Sequence, residues 1–442
     1  MNMSIVVWSI VSALAGFLFG FDTVVISGAE KTIQQVWGLS PQAHGVALAS
    51  ALYGTVIGAM IGGWPTDRFG RKPTLVWIGV LYFVSAVWSG LATDFWTFFI
   101  ARFIGGLGVG ISTVAAPLYI SEISPPAARG RLAGLFQFNI VFGILAAFLS
   151  NWIIEGWPND WRWMLAAEAP PALAYTLACL AIPESPRWLL LRGGAEDRRR
   201  ALDVLARMDP AATRADLEAT AARIVAAGAA AEAGGPKEPG QNLRRPLLLA
   251  FLIALFNQLS GINAVLYFAP RIFEMAGLGE KAALLQSIGI GITNLVFTFV
   301  GLWLIDRLGR RTLLVIGSLG YIVSLGLCAW AFATGHTAIV PACIFAFIAA
   351  HAIGQGAVIW VFIAEIFPDR FRATGQAVGC ATHWVLAALL TTVFPLLVVK
   401  FDPSTVFAFF CGMMVLQLAW VLLMVPETKG VPLEEIARRM GA

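Results

Sequence analysis

Long apolar stretches separated by short polar connections run through almost the whole chain. Windows of about 20 mainly apolar residues recur twelve times, near 5–29, 43–64, 73–92, 95–118, 131–153, 164–182, 246–270, 283–305, 312–333, 338–363, 373–399 and 404–425. A helix of that length crosses the hydrocarbon core of a bilayer. The pattern therefore predicts an all-α polytopic membrane protein with twelve transmembrane helices. The first window lacks a basic flank and a small-residue cleavage site, so we expect a retained helix rather than a signal peptide.

A charged, Ala-rich segment, 192–240, separates the sixth window from the seventh and ends in a Gly/Pro stretch. Such a composition is typical of a linker with short amphipathic helices. The pattern predicts a six-helix bundle at 1–185, a cytoplasmic linker at 186–245, a second six-helix bundle at 246–430 and a cytoplasmic tail at 431–442.

The two halves repeat one another. DRFGRK at 67–72 matches DRLGRR at 306–311, and PESPR at 183–187 matches PETKG at 426–430. A third match pairs Glu122, before RGR, with Glu365, before RFR; the three offsets are 239, 243 and 243 residues. Parallel repeats of six helices are the architecture of one large class of transporter. Transport by rocking of the halves is therefore the leading hypothesis.

Composition and charge exclude other classes of protein. The chain is 58% hydrophobic and 13% charged, which a water-soluble protein of 442 residues does not tolerate. Of the 30 Lys and Arg residues, 24 lie in the termini, the linker and the even-numbered connections, which places both termini in the cytoplasm by the positive-inside rule. This asymmetry explains the net charge of +4 without a nucleic-acid partner. All five Cys fall in apolar windows, which indicates that they pack as small hydrophobic side chains.

The seventh window carries a cluster of polar side chains inside an apolar run. An amide in hydrocarbon costs several kcal/mol unless it finds a partner, so Asn257, Gln258 and Asn263 indicate a protein interior or a wet cavity. On a straight helix Gln258 and Asn263 would lie about 140° apart, so a break at Ser260-Gly261 is needed for both to contact one ligand. Carboxamides suit a neutral polyhydroxylated ligand. The alternative is that these amides only join helices to one another.

Asp22 and Arg102 are the two charged residues deepest in the windows. Counted from the outer ends of their helices, they lie roughly 10 and 12 Å deep, so they are level and can meet. If such a pair separates during a transport cycle, the carboxylate takes up a proton when apart and releases it when together. The pair therefore predicts proton coupling; the alternative is a static buried ion pair.

Charged residues also cluster where helices end on the cytoplasmic side. Asp67 can cap a neighbouring helix, and the nearby Arg68 and Arg71 can pair with Glu122 or Glu184 when the halves are closed inside. Opening must then break these pairs; the alternative is that they are topological anchors at the membrane surface. The predicted gating network consists of Asp67, Arg68, Arg71, Glu122, Arg129, Glu184, Arg187, Asp306, Arg307, Arg310, Glu365, Arg372 and Glu427.

Other features predict no separate function. Glu168, near the outer end of the sixth window, is expected to bond a neighbouring loop. The sequence shows no phosphate-binding loop, metal-ligand cluster or nucleophile-base arrangement. We therefore expect neither an enzyme nor an ATP-driven pump, with no cofactor and no metal, and the energy must come from gradients.

Seven motifs carry a resemblance to the sugar porter branch of the major facilitator superfamily. They are GFLFGFDTVVISGA (16–29), DRFGRK (67–72), PESPRWL (183–189), NQLSGINAVLYFAP (257–270), DRLGRR (306–311), WVFIAEIFP (360–368) and PETKG (426–430). The resemblance covers nearly the whole chain. It is strongest to bacterial sugar-proton symporters of the xylose-transporting type, with the mammalian facilitative glucose transporters further off.

The resemblance implies roles for particular residues. The proton-coupled members carry an Asp at the position of Asp22 and an Arg at that of Arg102, and charge clusters such as those above act as an inner latch. The implied sugar contacts are Gln137, Asn257, Gln258, Asn263, Tyr267, Asn294, Gly356, Trp360 and His383. Here Asn257 replaces the usual Gln, His383 replaces a Gln or Asn, and Ala357 replaces the Pro after the glycine. These changes imply a sugar of different size or epimer; His383 is alternatively a neutral core histidine.

We therefore predict a secondary transporter of a hexose or pentose, a proton symporter that works as a monomer by alternating access in the bacterial inner membrane. Its expected partners are the monosaccharide, protons and the bilayer. A passive facilitator and a non-transporting sugar sensor are the alternatives. Whether Asp22 titrates distinguishes the first, and the tail of about a dozen residues after Gly430 argues against the second, since sensors need an output domain.

Overall fold

The chain is helical throughout the part that the structure describes. A computed structural model describes residues 2–125, 128–233, 243–367, 371–431 and 435–436, with the backbone alone at 129, 130, 133, 230–233, 372 and 373. Within these residues, twelve helical segments are long and apolar enough to cross a membrane. The predicted fold class is confirmed.

The helices divide into two halves joined by a linker. The first half consists of α1 Met3–Val36, α2 Pro41–Ile61, α3 Gly63–Phe69, α4 Arg71–Leu91, α5 Phe95–Ile123, α6 Arg129–Ile154, α7 Asp160–Ala166 and α8 Ala169–Ala181. The linker helices are α9 Pro186–Arg192, α10 Ala195–Met208 and α11 Arg214–Ala233. The second half consists of α12 Arg244–Leu259, α13 Ile262–Tyr267, α14 Ala269–Met275, α15 Glu280–Leu308, α16 Arg310–Thr334, α17 Val340–His351, α18 Ala357–Ile366, α19 Arg372–Lys400 and α20 Pro403–Met424.

The seventh span is interrupted, as its sequence predicts. Helix α12 ends at Leu259 and α13 begins at Ile262, with Gly261 between them at φ 86°. That conformation is left-handed and favours glycine. A Cβ added there would lie 2.7 Å from the ring of Phe410. The predicted break at Ser260-Gly261 is therefore confirmed, and both backbone geometry and packing require the glycine.

The tenth span is also irregular. Between α17 and α18 the chain makes a π-helical turn, Ala352–Gly356. A π-helical turn widens the helix and is frequent at functional sites. The turn places Gly356 directly before α18. The apolar pattern of this span is continuous, so the sequence does not predict the irregularity.

The two halves meet along three seams. Helix α2 packs on α19, α6 packs on α15, and α1 packs on α13 and α14. The end of the bundle that carries α9–α11 is the linker end. The opposite, far end carries the connection between α1 and α2 at Trp37–Ser40. The start of α1 lies at the linker end, where the Arg207 guanidinium lies 4.8 Å from the centre of the Trp8 ring.

The described ion pairs that join the halves lie at the far end. They are Lys31 with Glu274 at 2.9 Å, Arg271 with Glu30 at 2.9 Å and Lys281 with Glu155 at 3.6 Å. Near them Tyr53 shares a hydrogen bond of 2.6 Å with Thr392. The backbones of α2 and α19 also touch there, since a Cβ added at Gly45 would lie 1.9 Å from the Thr392 carbonyl oxygen.

Apolar packing shows the same asymmetry. The largest buried cluster runs from the second half into α1 and α2 near the far end, through Val25, Ile33 and Leu48. Towards the linker end, Trp8 and Ala15 of α1 instead belong to a cluster formed with helices of the first half. The bundle is therefore closed at the far end.

We expect Gly261→Ala to destabilise the protein by about 2 kcal/mol, because the added Cβ meets the Phe410 ring in a backbone conformation that is strained for alanine. The midpoint of thermal unfolding of the purified protein measures this. Gly412→Ala is the matched control, since Gly412 lies two residues from Phe410 and a Cβ added there meets nothing within 4 Å. Equal unfolding midpoints for the two variants would contradict the prediction.

Candidate functional site

Three side-chain amides form one hydrogen-bonded group beside the break in the seventh span. Gln258 Nε2 donates to Asn257 Oδ1 at 3.0 Å, and Asn263 Nδ2 donates to Gln258 Oε1 at 2.7 Å. All three side chains are buried. A straight helix would hold Gln258 and Asn263 about 140° apart. The break at Gly261 therefore brings Asn263 back onto Gln258.

His383 of α19 joins the amides from another helix. Its Nδ1 lies 3.1 Å from Gln258 Nε2, which has a second N–H to donate. Its ring centre is 5.1 Å from that of Trp360 and 4.8 Å from that of Trp384. His383 and Trp360 are half-buried, unlike the amides. The structure thus brings both predicted residues to the amides and gives His383 a polar partner.

The other predicted contacts lie on the surrounding helices. Gly356 ends the π-helical turn in the span of Trp360. Asn294 of α15 is buried, and its Oδ1 accepts a long hydrogen bond of 3.5 Å from Thr298. Gln137 of α6 is half-buried and belongs to the first half. Neither Gln137 nor Asn294 is hydrogen-bonded to the Gln258 group within the described residues.

Asp22 of α1 and Arg102 of α5 form a buried ion pair. Arg102 Nη1 donates to Asp22 Oδ1, and Nη2 donates to the Asp22 main-chain oxygen at 2.8 Å. Both side chains are 2% exposed. The buried Nε of Arg102 has no hydrogen-bond partner among the described residues. The two residues meet, as their equal depth along the sequence predicts.

Glu168 is a third charged residue beside this pair. It lies at the junction of α7 and α8, is buried, and neither carboxylate oxygen has a hydrogen-bond donor among the described residues. Its strongest charged neighbours are Asp22 and Arg102. The predicted bond to a neighbouring loop is therefore wrong, because the junction lies inside the bundle. The signal that identifies Asp22, a carboxylate within an apolar window, also marks Glu168.

Tyr267 shares its short helix with Asn263 of the amide group. It ends α13 one helical turn after Asn263 and is buried. Its hydroxyl lies in the electrostatic field of Arg102 and Asp22. Since α13 belongs to the second half and packs on α1 of the first, Tyr267 lies on a helix at the interface between the halves.

At the linker end, Arg71 is the centre of a charge cluster in the first half. Its Nε and Nη2 donate to Glu122 at 2.9 and 2.8 Å, and its Nη1 donates to Asp67 at 3.1 Å. Glu184 accepts the backbone N–H groups of Arg71 and Lys72 at 3.0 and 3.2 Å. Glu184 therefore caps the start of α4. Burial raises the pKa of Glu184, and these N–H donors oppose the shift.

The second half carries a copy of this cluster. Arg310 donates to Glu365 at 3.1 and 2.7 Å and to Asp306 at 3.1 Å. Glu427 accepts the backbone N–H groups of Arg310 and Arg311 at 2.9 and 3.1 Å, as Glu184 does in the first half. The sequence repeat is therefore also a repeat of the same bonds.

Three residues of the predicted gating network lie outside both clusters. Arg68, Arg187 and Arg307 are exposed and form no ion pair among the described residues. Arg307 instead lies with its guanidinium 3.9 Å from the centre of the Trp303 ring. Arg68 and Arg307 face outward, whereas Arg187 lines a cavity at the linker end together with Asp67, Arg71 and Glu122.

Each cluster joins helices of one half and does not join the halves. Arg71 with Glu122 links α4 to α5, and Arg310 with Glu365 links α16 to α18. The sequence predicts that opening on this side breaks such pairs. In this structure the pairs are formed within each half, and the ion pairs between the halves lie at the far end. The predicted members whose side chains lie outside the described structure are Arg129 and Arg372.

A second polar group in the second half is not among the predicted site residues, although Gln355 and Gln417 are carboxamides within apolar windows. Gln355 Nε2 donates to Gln417 Oε1 at 3.0 Å, and Gln417 Nε2 donates to Ser318 Oγ at 2.8 Å. Close by in the chain, the Tyr321 hydroxyl and His351 Nδ1 share a hydrogen bond of 2.6 Å. These residues come from three separate spans, so only the fold brings them together.

The chain is similar to known transporters over almost its whole length. The family model described as "Sugar (and other) transporter" matches residues 8–440. The arabinose-proton symporter of Bacillus subtilis (strain 168) is 33% identical over 98% of this chain and 94% of its own length. The D-xylose-proton symporter of Escherichia coli (strain K12) is 33% identical over 97% of this chain and 94% of its own length.

Solved structures extend the similarity to the fold. The inward open conformation of the xylose transporter XylE from E. coli matches with a TM-score of 0.86 and 31% identity, covering 98% of this chain and 99% of that one. The proton:xylose symporter XylE bound to 6-bromo-6-deoxy-D-glucose matches with a TM-score of 0.78 and 32% identity, covering 100% of both chains. Twelve spans in two repeated halves, the family match and these structures lead to one conclusion: the chain belongs to the sugar transporter family of the major facilitator superfamily.

Proposed function

We propose that this protein transports a monosaccharide together with a proton by alternating access. Its family is one of sugar transporters, and relatives at 33% identity are named as arabinose-proton and D-xylose-proton symporters. The buried charges around Asp22 carry the proposal, since the amides alone would serve a passive facilitator equally well.

The charge count around Arg102 supports proton coupling. Two buried carboxylates, Asp22 and Glu168, lie beside a single guanidinium. With both carboxylates ionised, the group would carry an uncompensated negative charge in surroundings of low dielectric, which is costly. One bound proton removes that charge. A cycle that exposes the group to water on alternate sides would therefore load and unload a proton.

The amide group supports a sugar as substrate. Gln258 and Asn263 offer donors and acceptors without formal charge, which match hydroxyl groups. Trp360 provides an aromatic face for the C–H surface of a sugar ring. His383, where an amide is usual, is the residue to which we attribute the choice of sugar. The proposed contacts are Gln137, Asn257, Gln258, Asn263, Tyr267, Asn294, Gly356, Trp360 and His383.

The position of Tyr267 supports a link between sugar and proton. It shares the short helix α13 with Asn263 of the sugar site and interacts electrostatically with Arg102 and Asp22. We propose that sugar binding moves α13 against α1 and so changes the surroundings of the ion pair. Coupling then needs no larger rearrangement than a shift of one short helix.

We infer that the linker end and both termini are cytoplasmic and that the far end faces outward. The concentration of Lys and Arg at the linker end supports this orientation. With that orientation, a bundle closed at the far end represents an inward-facing state, in keeping with its similarity to the inward open XylE structure. We propose a monomer in a bacterial inner membrane.

We propose that the linker-end clusters around Arg71 and Arg310 hold each half together while the halves rock, and in this way set the rate of exchange between states. A bidentate Arg-carboxylate pair is among the strongest polar contacts available to a helix end. The clusters keep the relative positions of α4 and α5, and of α16 and α18, unchanged during the motion.

We expect Asp22→Asn to abolish accumulation of sugar against its gradient and to retain exchange of sugar across the membrane. The carboxamide keeps the size of the side chain but cannot carry the proton. Uptake of labelled arabinose, xylose and glucose into proteoliposomes, with and without an inward proton gradient, measures both activities. Glu168→Gln should also reduce accumulation, since it removes one of the two carboxylates.

The matched control is Asp402→Asn, since Asp402 is exposed and its side chain caps no N–H group of α20. It should accumulate sugar normally. Accumulation by the Asp22→Asn protein would refute the assignment. Equilibration unaffected by the gradient in the native protein would indicate a facilitator, and no flux of any sugar would favour a sensor.

We expect Gln258→Leu to weaken sugar binding about tenfold or more, because it removes the partner of Asn263 and His383 and at least one hydrogen bond to the sugar, worth about 1.4 kcal/mol. The KM for exchange measures this. Gln42→Ala, at an exposed far-end position, should leave KM unchanged. His383→Asn should change the ratio of KM values for xylose and glucose; unchanged values in both site variants would place the sugar elsewhere.

We expect Arg71→Ala to destabilise the protein by about 3 kcal/mol, because it leaves the carboxylate of Glu122, 5% exposed, without its partner. Arg310→Ala should cost less, since Glu365 is 20% exposed. The double change Arg71→Ala with Glu122→Gln should restore part of the loss. Thermal unfolding measures stability, and counterflow kinetics measure exchange between states.

Arg68→Ala is the control for this series, as Arg68 is an exposed neighbour outside the cluster. Unchanged counterflow in a folded Arg71→Ala protein would show that the cluster has no part in the exchange between states.

A further inference from the structure

A buried group of charges at the far end crosses from one half to the other. Glu30 of α1 bonds His44 of α2 through Oε2, at 2.7 Å from His44 Nε2. Its other oxygen lies 2.9 Å from Arg271 Nε, on α14 of the second half. Arg271 also donates to Gln34 at 2.8 Å. Glu30 and His44 are 2% and 0% exposed, so water does not solvate their bond.

The second ring nitrogen of His44 is unused. Nδ1 is buried and has no hydrogen-bond partner among the described residues. Since Nε2 faces a carboxylate, Nε2 carries the proton of the neutral ring and Nδ1 carries none. A second proton, on Nδ1, would place a buried N–H where the structure offers no acceptor.

The charge count at Glu30 points the same way. One carboxylate faces one permanent cation, Arg271, and one group that becomes a cation only on protonation, His44. The adjacent pair of Lys31 with Glu274 is neutral by itself. Glu30 with Arg271 is neutral, whereas Glu30 with Arg271 and a protonated His44 would carry an uncompensated positive charge out of water.

Other charged groups do not alter this count. The titratable groups nearest to His44 are Glu30 and Lys31 of α1 and Arg271 and Glu274 of α14. Glu280, at the start of α15, also acts on Lys31, but its side chain is exposed and water screens its charge. Helix α5 is uncharged over 95–101, between the exposed Asp94 and Arg102, which is paired with Asp22; α19 is uncharged over 384–399, before the exposed Lys400. The ring of Phe268 lies edge-on to His44, 6.5 Å away between centres.

We propose that His44 is a second proton-binding site, which is protonated when the far end is open and neutral when it is closed. Opening carries α14 away with the second half, so Glu30 loses Arg271. A proton on His44 then restores charge balance, and water entering the opening solvates Nδ1. Closing returns Arg271 to Glu30 and expels the proton. Arg271 and the proton thus compete for one carboxylate.

Protons bind the open form better than the closed form, so a lower pH favours opening of the far end. Because the site involves neither Asp22 nor sugar, it goes beyond the proposed function and can be tested without it.

The test is a distance measurement across the far end. Spin labels are placed on cysteines introduced at Gln42 and Ala282, two exposed positions on opposite halves, with the native cysteines replaced. The protein also carries Asp22→Asn, which leaves one carboxylate, Glu168, for Arg102 and so removes the uncompensated charge of the central group. Double electron-electron resonance between pH 8 and 5.5, without sugar, gives the ratio of long to short distances. We expect this ratio to rise about tenfold, within the limit of tenfold per pH unit for one proton.

Three variants decide the cause. His44→Gln keeps an N–H for Glu30 but cannot be protonated, so its ratio should change less than about twofold over the same range. His336→Gln, at an exposed histidine in the connection after α16, should respond like the parent. Arg271→Gln should raise the ratio already at pH 8, because closing no longer gains the bond to Glu30.

Two results would overturn the proposal. One is a parent protein whose ratio does not change with pH, and the other is a His44→Gln protein that responds like the parent. Neither outcome bears on sugar transport, since no substrate is present and Asp22 is already replaced.

Discussion

Hydrocarbon offers no hydrogen-bond partner, so every polar group inside the membrane must find one within the protein. This constraint decides which helices of the chain must meet. Arg102 fixes α5 against α1 through Asp22, and Gln258 fixes α12 against α19 through His383. The polar side chains are few, but the bonds between them favour one arrangement of spans whose apolar surfaces would pack in many ways.

The constraint is weaker at the linker end, where water reaches the helix ends, and the contacts there are built differently. The clusters at Arg71 and Arg310 combine a bidentate carboxylate, a carboxylate one helical turn away and a carboxylate that caps the next helix. The two clusters are nearly identical, and each half forms its cluster without residues of the other half. Rigid halves with a separate far-end contact are what rocking about a central site requires.

Much of the fold follows from the sequence because bilayer thickness sets the length of each span. The break at Gly261 and the meeting of Asp22 with Arg102 also follow, since amides and charges in an apolar run must be explained. Glu168 is likewise marked as a carboxylate within an apolar window, but its position beside Asp22 does not follow, because the interruption of its span at Ala167 does not show in hydropathy. Nor do the Glu30, His44 and Arg271 contacts, since three single residues on three helices leave no local pattern.

The two buried charge groups differ in charge balance, and this separates their proposed roles. The group around Arg102 has two carboxylates and one guanidinium, so it favours a bound proton when it is enclosed by protein. At Glu30, Arg271 already balances the carboxylate, so His44 favours losing its proton when the group is enclosed by protein. The His44 site lies at the far-end seam, and closing returns its proton to the side from which it came. Its proton would therefore shift the balance between states without crossing the membrane, whereas a proton on Asp22 or Glu168 lies where access can alternate.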